Sequence, residues 1–485
     1  MNKPLRRVAI FCGLLMVALM VRSNWIQFAQ GDELRNDPKN RRVAIERYAQ
    51  PRGNIIVDGK AVTGSKATEG TDFKYKRTYR NGEIWAPVTG YASQAFGATQ
   101  LESIYDGILT GDDDRLFFNQ TIDMLTGEDQ KGGNVVTTLD ADVQKAGFEE
   151  MGDKKGAAVA INPETGAILG LVSTPSYDPS SFAGNSSKDA EKWNGLLKDE
   201  DEPMLNRALR QTYPPGSTFK VVTAAAALES GMYDIDEKTD TPDPYRLPQS
   251  TTDLGNDGNH PCEDASLRVA MQWSCNTVFA KISDELGNEK MIDYSERFGF
   301  NQEHFVPVRA AESVYPEDNR PQNAMAGIGQ ASNRATPLQM AMVAAAVAND
   351  GKMMEPYMMD QLIAPGLSVV EEHKPREMGE VVSGENAQKL QQMMETVVEK
   401  GTGVPAQIDG VTVGGKTGTA QHGENNEKNP YAWFISYAKT SDGSTPIAVA
   451  VVVESADVLR DDIAGSKLAA PVAKAMMEAA LDGKR

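Results

Sequence analysis

The sequence predicts an α/β chain of the α+β type. One sheet is covered by helices, with a helical subdomain inserted between its early and late strands. A small irregular α+β module and an N-terminal membrane anchor stand ahead of it. Three observations predict this. Ala157 to Ser173 reads as a β-hairpin around Pro163-Glu-Thr-Gly166. The C-terminal part holds three further strand-like runs and a closing helix, and the middle is Ala-rich and helical. Val8 to Val21 is an uninterrupted apolar run behind Lys3, Arg6 and Arg7.

The apolar run is shorter than the ~20 residues a spanning helix needs. Arg22 can snorkel, and Trp25, Ile26 and Phe28 extend the span to residue 28. A cleaved signal peptide is the competing reading. No clear A-x-A site is present, which favours an uncleaved anchor over 1–29. The positive flank then stays inside and the bulk of the chain is extracytoplasmic, on a single-pass membrane protein.

Residues 30–52 are polar and suit a juxtamembrane connector. Ile55-Ile-Val57 followed by Asp58-Gly59 reads as a strand entering a hairpin. Phe73 to Tyr79 is a second strand, closed by Asn81-Gly82, and Gln100 to Leu109 is helical. These form a non-catalytic module over 30–133, bounded by Lys131-Gly132-Gly133. The remaining 134–485 opens with a helix entered through Thr138-Leu139-Asp140. Ser180 to Glu202 is polar and reads as a surface excursion. Tyr213-Pro-Pro-Gly216 breaks the chain ahead of an apolar helix that runs from Ser217 to a stop at Gly231. A long Pro- and Gly-rich loop follows from 240 to 261. Helices are expected over Ala265 to Leu286, Gln339 to Ala348 and Ala387 to Val398. Strands are expected at Val411 to Gly415, Ala432 to Ala438 and Ile447 to Val453, and a final helix from Ser466 to Leu481.

A net charge of −19 argues against nucleic acid as a partner, because phosphate binding needs basic patches. His260, His304, His373 and His422 do not pair at ligand spacing, and with three scattered cysteines no metal site or other cofactor is expected. Cys12 lies in the apolar run. Cys262 and Cys275 both fall outside the membrane and are a candidate disulfide, two buried thiols being the alternative.

The chemistry starts at Ser217-Thr-Phe-Lys220. Residues three apart lie on one helix face, one turn apart. A hydroxyl at a helix start with an amine one turn below is a candidate activated nucleophile. An N-cap serine beside a solvated lysine is the bland alternative. A second Ser-x-x-Lys, Ser436 to Lys439, falls in an apparent strand, where residues three apart face opposite ways. Ser274-Cys-Asn276 and Lys416-Thr-Gly418 are unique in the chain and follow Ser217 in order. The ordered set S-x-x-K, S-x-N, K-T-G marks serine acyl transfer. In it Ser217 attacks a carbonyl. Lys220, kept neutral by burial and by the neighbouring Lys416, takes its proton. Ser274 relays a proton to the leaving nitrogen, and Asn276 holds a substrate amide. Lys416, Thr417 and Thr419 face a substrate carboxylate, and Gly418 lets the acyl chain approach the strand. The backbone N–H groups of Ser217 and Thr419 form the oxyanion hole. Glu202-Pro-Met-Leu-Asn206 matches the E-x-x-L-N of a deacylating glutamate but precedes the nucleophile instead of following the S-x-N element. Slow hydrolysis of the acyl-enzyme follows, which favours a transferase.

These motifs, with Asn206-Arg-Ala, Gly327-Ile-Gly-Gln330, Ala335-Thr-Pro-Leu-Gln and Ala432-Trp-Phe, resemble a class B penicillin-binding protein, a monofunctional D,D-transpeptidase. The likeness is strong from about Gly133 onward. Tyr79-Arg-Asn-Gly-Glu and Val88-Thr-Gly-Tyr-Ala are similar, less specifically, to the actinobacterial penicillin-binding protein A type. The resemblance implies an antiparallel sheet of the penicillin-binding-protein and serine β-lactamase kind. It also implies peptidoglycan stem peptides as substrate, acylation by β-lactam antibiotics, no cofactor, and a glycosyltransferase or division complex as partner. A D,D-carboxypeptidase or a β-lactam-binding sensor on the same site is the alternative. Tyr431 departs from the His that many relatives carry before Ala-Trp-Phe.

Overall fold

The computed structural model describes residues 3–31, 34, 45–69, 72–116, 131–423 and 426–482. Most of the connector expected over 30–52 lies outside them. Lys3–Ala29 forms one helix of 27 residues with a mean hydropathy of 1.9 over its most apolar window and no buried residue, long and apolar enough to cross a membrane.

Two short strands of the N-terminal module join a five-stranded sheet whose other three strands lie beyond residue 133. Its order is Val369–Glu372, Met359–Ile363, Asn134–Thr137, Ile55–Val57 and Lys60–Ala61. The hairpin at Asp58-Gly59 forms as expected, with both residues at positive φ. Ile55–Val57 runs parallel to Asn134–Thr137, and two strands of the sheet come from far downstream, at 359–372. Sequence patterns do not assign that region, because its strands are short and mix apolar with polar residues without a clean alternation.

A buried ion triad holds the module together. The fully buried Glu102 carboxylate accepts from Arg52 Nη2 at 3.0 Å and from Arg77 Nε. Arg77 also donates to Gly53 O at 2.7 Å and Thr63 Oγ1 at 2.8 Å. Removing one partner of a buried pair strands the remaining charge. Glu102→Gln is therefore expected to destabilise the module by about 3–5 kcal/mol, read by denaturant titration. A loss no larger than an exposed pair produces would show that the two guanidiniums find other partners.

The second sheet is antiparallel throughout. Its order is Thr412–Ala420, Tyr431–Lys439, Ile447–Ser455, Lys155–Ile161 and Ile168–Thr174. Alternate residues enter separate cores. Val159, Ala450 and Val452 pack with the helical subdomain, whereas Ala158, Val449 and Val451 pack under the terminal helix. Both faces are covered, so these strands read as continuous apolar runs. Ala470–Asp482 and Ala141–Met151 cover one face, and Pro337–Ala348, buried along its whole length, covers the other.

The subdomain between the early and late strands is helical as expected, with two differences. The stretch Ala265 to Leu286, expected as one helix, is two, Leu267–Trp273 and Asn276–Leu286. Ser274 breaks it by adopting a left-handed φ of 61°. The polar excursion 180–202 contains the helix Ser187–Lys198, started by a reciprocal capping box between Ser186 and Asp189. A disulfide joins Cys262 to Cys275 and ties the preceding loop to this break.

Candidate active site

Ser217 lies in a 3-10 turn, Gly216–Phe219, that leads into the helix Lys220–Glu229. The turn is held from three sides. Tyr213 exchanges two backbone hydrogen bonds with Ala335, at 2.9 and 2.8 Å. Trp433 Nε1 donates to Pro214 O at 3.0 Å, and Gly216 N–H donates to Gly329 O at 2.9 Å. Gly216 has φ 54°, and a Cβ there would stand 3.0 Å from that of Ala420. Gly329, at φ 75°, abuts the Gly216 backbone so closely that no side chain fits, which accounts for glycine within Gly327-Ile-Gly-Gln330.

The three motifs meet. Ser274 Oγ sits between two amines, 2.9 Å from Lys416 Nζ and 3.2 Å from Lys220 Nζ. Lys220 Nζ also donates to Ser274 O and Asn276 Oδ1, both at 2.7 Å, and Lys416 Nζ to Thr417 O at 2.9 Å. Both lysines are fully buried. Burial, then the charge of Lys416, pushes Lys220 well below the usual lysine range, with Asp257 opposing. Burial lowers Lys416 to about 7. A neutral Lys220 has two N–H groups, matched by two acceptor-only partners, so its lone pair remains available for a hydroxyl proton.

Asn256, which sequence reasoning missed, shapes the S-x-N turn. Its Oδ1 accepts from the N–H groups of Asn276 (2.6 Å) and Thr277 (3.1 Å), capping the helix. An Asn in a Gly-Asn-Asp-Gly loop was the available signal, but its distance in sequence hid the cap. Asn276 Nδ2 donates to Gly255 O at 3.3 Å, so both ends of that amide are engaged within the protein.

An open cleft of about 820 Å³ is lined by Ser217, Asn276, Thr419, Asp257, Arg334 and Arg460 among others. Of the two threonines, Thr419 is the one that lines it. Thr417 is buried, with its hydroxyl 2.6 Å from that of Thr402. The missing side chain of Gly418 faces Thr218 and Trp433, each with an atom 3.1 Å from an added Cβ. Glycine there lets the strand seat against the Ser217 turn. Glu202 is exposed at the surface and outside the cleft. Tyr431, the departure noted above, stacks on His422 at 4.0 Å and packs edge-on against Tyr213 at 5.0 Å. Ser436 is buried inside its strand, and Lys439 Nζ lies 3.4 Å from Gln391 Oε1.

Residues 156–478 match the penicillin binding protein transpeptidase domain. The chain belongs to the penicillin-binding protein transpeptidase family. Residues 52–135 match the penicillin binding protein A dimerisation domain. The chain is 39% identical to the peptidoglycan D,D-transpeptidase PbpA of Mycolicibacterium smegmatis, over 99% of both chains. It is 40% identical to that of Mycobacterium tuberculosis over the full length of both. Among solved structures, penicillin-binding protein A from M. tuberculosis as a ceftriaxone acyl-enzyme complex superposes with a TM-score of 0.85. That match has 38% identity and covers 90% of this chain and 100% of the other. The same protein as an imipenem acyl-enzyme complex gives 0.83 over the same shares. This penicillin-binding protein thus shares its fold with a protein caught covalently bound to two different β-lactams.

Proposed function

We propose that this chain is a membrane-anchored peptidoglycan D,D-transpeptidase working through an acyl-enzyme on Ser217. The observation that carries the reading is the Ser274 hydroxyl shared by two buried amines beside the cleft that holds Ser217. Ser217 Oγ attacks the carbonyl of the penultimate D-Ala of a stem peptide, and Lys220 takes its proton. The Ser217 and Thr419 N–H groups carry the oxyanion. The C–N bond breaks, the terminal D-Ala amine leaves with a proton relayed by Ser274, and Asn276 aligns the acyl chain. An amine of a second stem then displaces Ser217, which recovers its proton. Lys416 and Thr419 hold the carboxylate, and the Thr417 hydroxyl, engaged by Thr402, takes no part in it. A β-lactam follows the first half, but its cleaved amide stays tethered. Under this reading 1–29 anchors the protein, 30–133 is a pedestal, and 134–485 is the extracytoplasmic catalytic domain. A glycosyltransferase or division complex is the expected partner.

Intact mass after incubation with benzylpenicillin tests this. A persistent adduct that maps to Ser217 and disappears in Ser217→Ala is the expected result. Rapid return to the free mass would replace the transferase with a hydrolase, and no adduct would remove the acyl-enzyme altogether.

A further inference from the structure

A second pocket, of about 290 Å³, shares no lining residue with the Ser217 cleft and lies on the seam between the N-terminal module and the catalytic domain. Tyr91 and Gln100 reach it from the module, and Tyr177, Trp193, Leu197 and Asn206 from the catalytic domain. Its size is near the lower end of small-ligand sites, ~300 Å³. We propose that it binds a neutral saccharide ring, such as an N-acetylated sugar of a glycan strand.

Two acceptors point to the ligand's chemistry. Asn206 is 4% exposed, and its Oδ1 is buried with no hydrogen-bond partner among the described residues. Its Nδ2 donates to Pro87 O at 2.7 Å, so the amide cannot turn round without setting two oxygens together. Gln100 Oε1 is likewise buried and unpartnered among those residues. Buried acceptors of this kind call for a donor, and sugar hydroxyls and acetamido N–H groups supply donors on a rigid frame.

The walls point the same way. Trp193 is stacked on Phe96 at 4.7 Å and met edge-on by Tyr91 at 5.3 Å, which fixes the indole as a platform. The C–H face of a sugar packs on aromatic rings of this kind. No charged side chain lines the pocket among the described residues. An ionic ligand would therefore lose its hydration without compensation. Leu197, 58% exposed, stands at the mouth, so the pocket reaches solvent.

Position gives the site a consequence. Asn206 adjoins Arg207, whose buried guanidinium lies 3.4 Å from Glu454, and Glu454 accepts from the Tyr213 hydroxyl at 3.1 Å. Tyr213 opens the Ser217 turn. A sugar held against Asn206 would brace the module, the Asn206 segment and that turn together. This rests on the reading of the protein as a peptidoglycan enzyme, whose stem peptides hang from glycan strands.

The test is titration of the full chain in detergent with the tetramer of N-acetylglucosamine, read by tryptophan fluorescence and calorimetry. Saturable millimolar or tighter binding is expected. It should persist after benzylpenicillin has occupied Ser217, weaken about tenfold in Gln100→Ala and vanish in Trp193→Ala. Melting curves and the acylation rate of each variant show that fold and active site are intact. Absence of saturable binding overturns the proposal. So does binding that benzylpenicillin abolishes, which belongs to the cleft, or binding that neither variant weakens. Sugar binding by a protein that forms no penicillin adduct would support the pocket while removing the transpeptidase reading.

Discussion

Lys220→Met is expected to slow acylation of Ser217 by benzylpenicillin by roughly 10²–10⁴-fold, the usual contribution of a positioned general base, with the fold retained. Methionine keeps the length and apolar volume of a stem that is already buried. What it removes is the lone pair one turn below the nucleophile and the amine that joins Ser274 O to Asn276 Oδ1. Stopped-flow acylation measures the effect, with circular dichroism and a melting curve to confirm folding. A rate within tenfold of the unsubstituted protein would move the base to another group. Ser274 would be the first to examine, because its hydroxyl also contacts Lys416.

The second large effect is on pH. The second-order acylation constant reports ionisations of the free enzyme. Lys416 must be charged to attract a carboxylate, and burial sets it at about 7. The constant should therefore decline as pH rises through about 7. On the acid side it should fall as Lys220 gains a proton. At saturating ligand the alkaline limb should move upward, because a bound carboxylate stabilises the charged amine. Lys416→Arg keeps the charge and should erase that limb, though at a lower absolute rate since the guanidinium differs in shape. An alkaline limb unmoved in this variant would assign it to another group.

The same burial appears in stability, with a definite sign. The Lys416 amine is depressed in the folded state, so the unfolded chain binds more protons. Stability should rise with pH between about 7 and the ordinary lysine value near 10.5, by on the order of a few kcal/mol. Lys416→Met should make that slope shallower without removing it, because the buried Lys220 is depressed as well and contributes with the same sign. The change in slope between the two proteins is the share of Lys416.

Much of this was legible because the signals are local. The proline-glycine break before Ser217, the Ala-rich run behind it and the period of the hairpin at 157–173 act over a few residues. The decoys were also sorted locally. Ser436 to Lys439 falls on a strand, and strand geometry separates its two side chains. Other features were not legible because they depend on distant partners. Asn256 caps a helix twenty residues on, and the strands at 359–372 have meaning only beside 134–137. Gly418 is seated against Thr218 and Trp433, and Thr417 is turned to Thr402. Ser274 breaks a helix that apolar periodicity would have carried through, because the surrounding contacts hold it left-handed against the backbone cost.

The sequence by itself determined the long apolar N-terminal segment, the α+β order of elements, and the chain order of the motifs that contain Ser217, Lys220, Ser274, Asn276 and Lys416. Those follow from hydrophobic period, chain breaks and residue chemistry, which act along the chain. Only the tertiary structure decided that Ser274 Oγ lies within reach of both amines, that both are dry, and that the seam holds a pocket with two acceptors unpartnered among the described residues. Proximity and burial arise where a sheet, an inserted subdomain and a neighbouring module pack together, and no short stretch of residues encodes that packing alone.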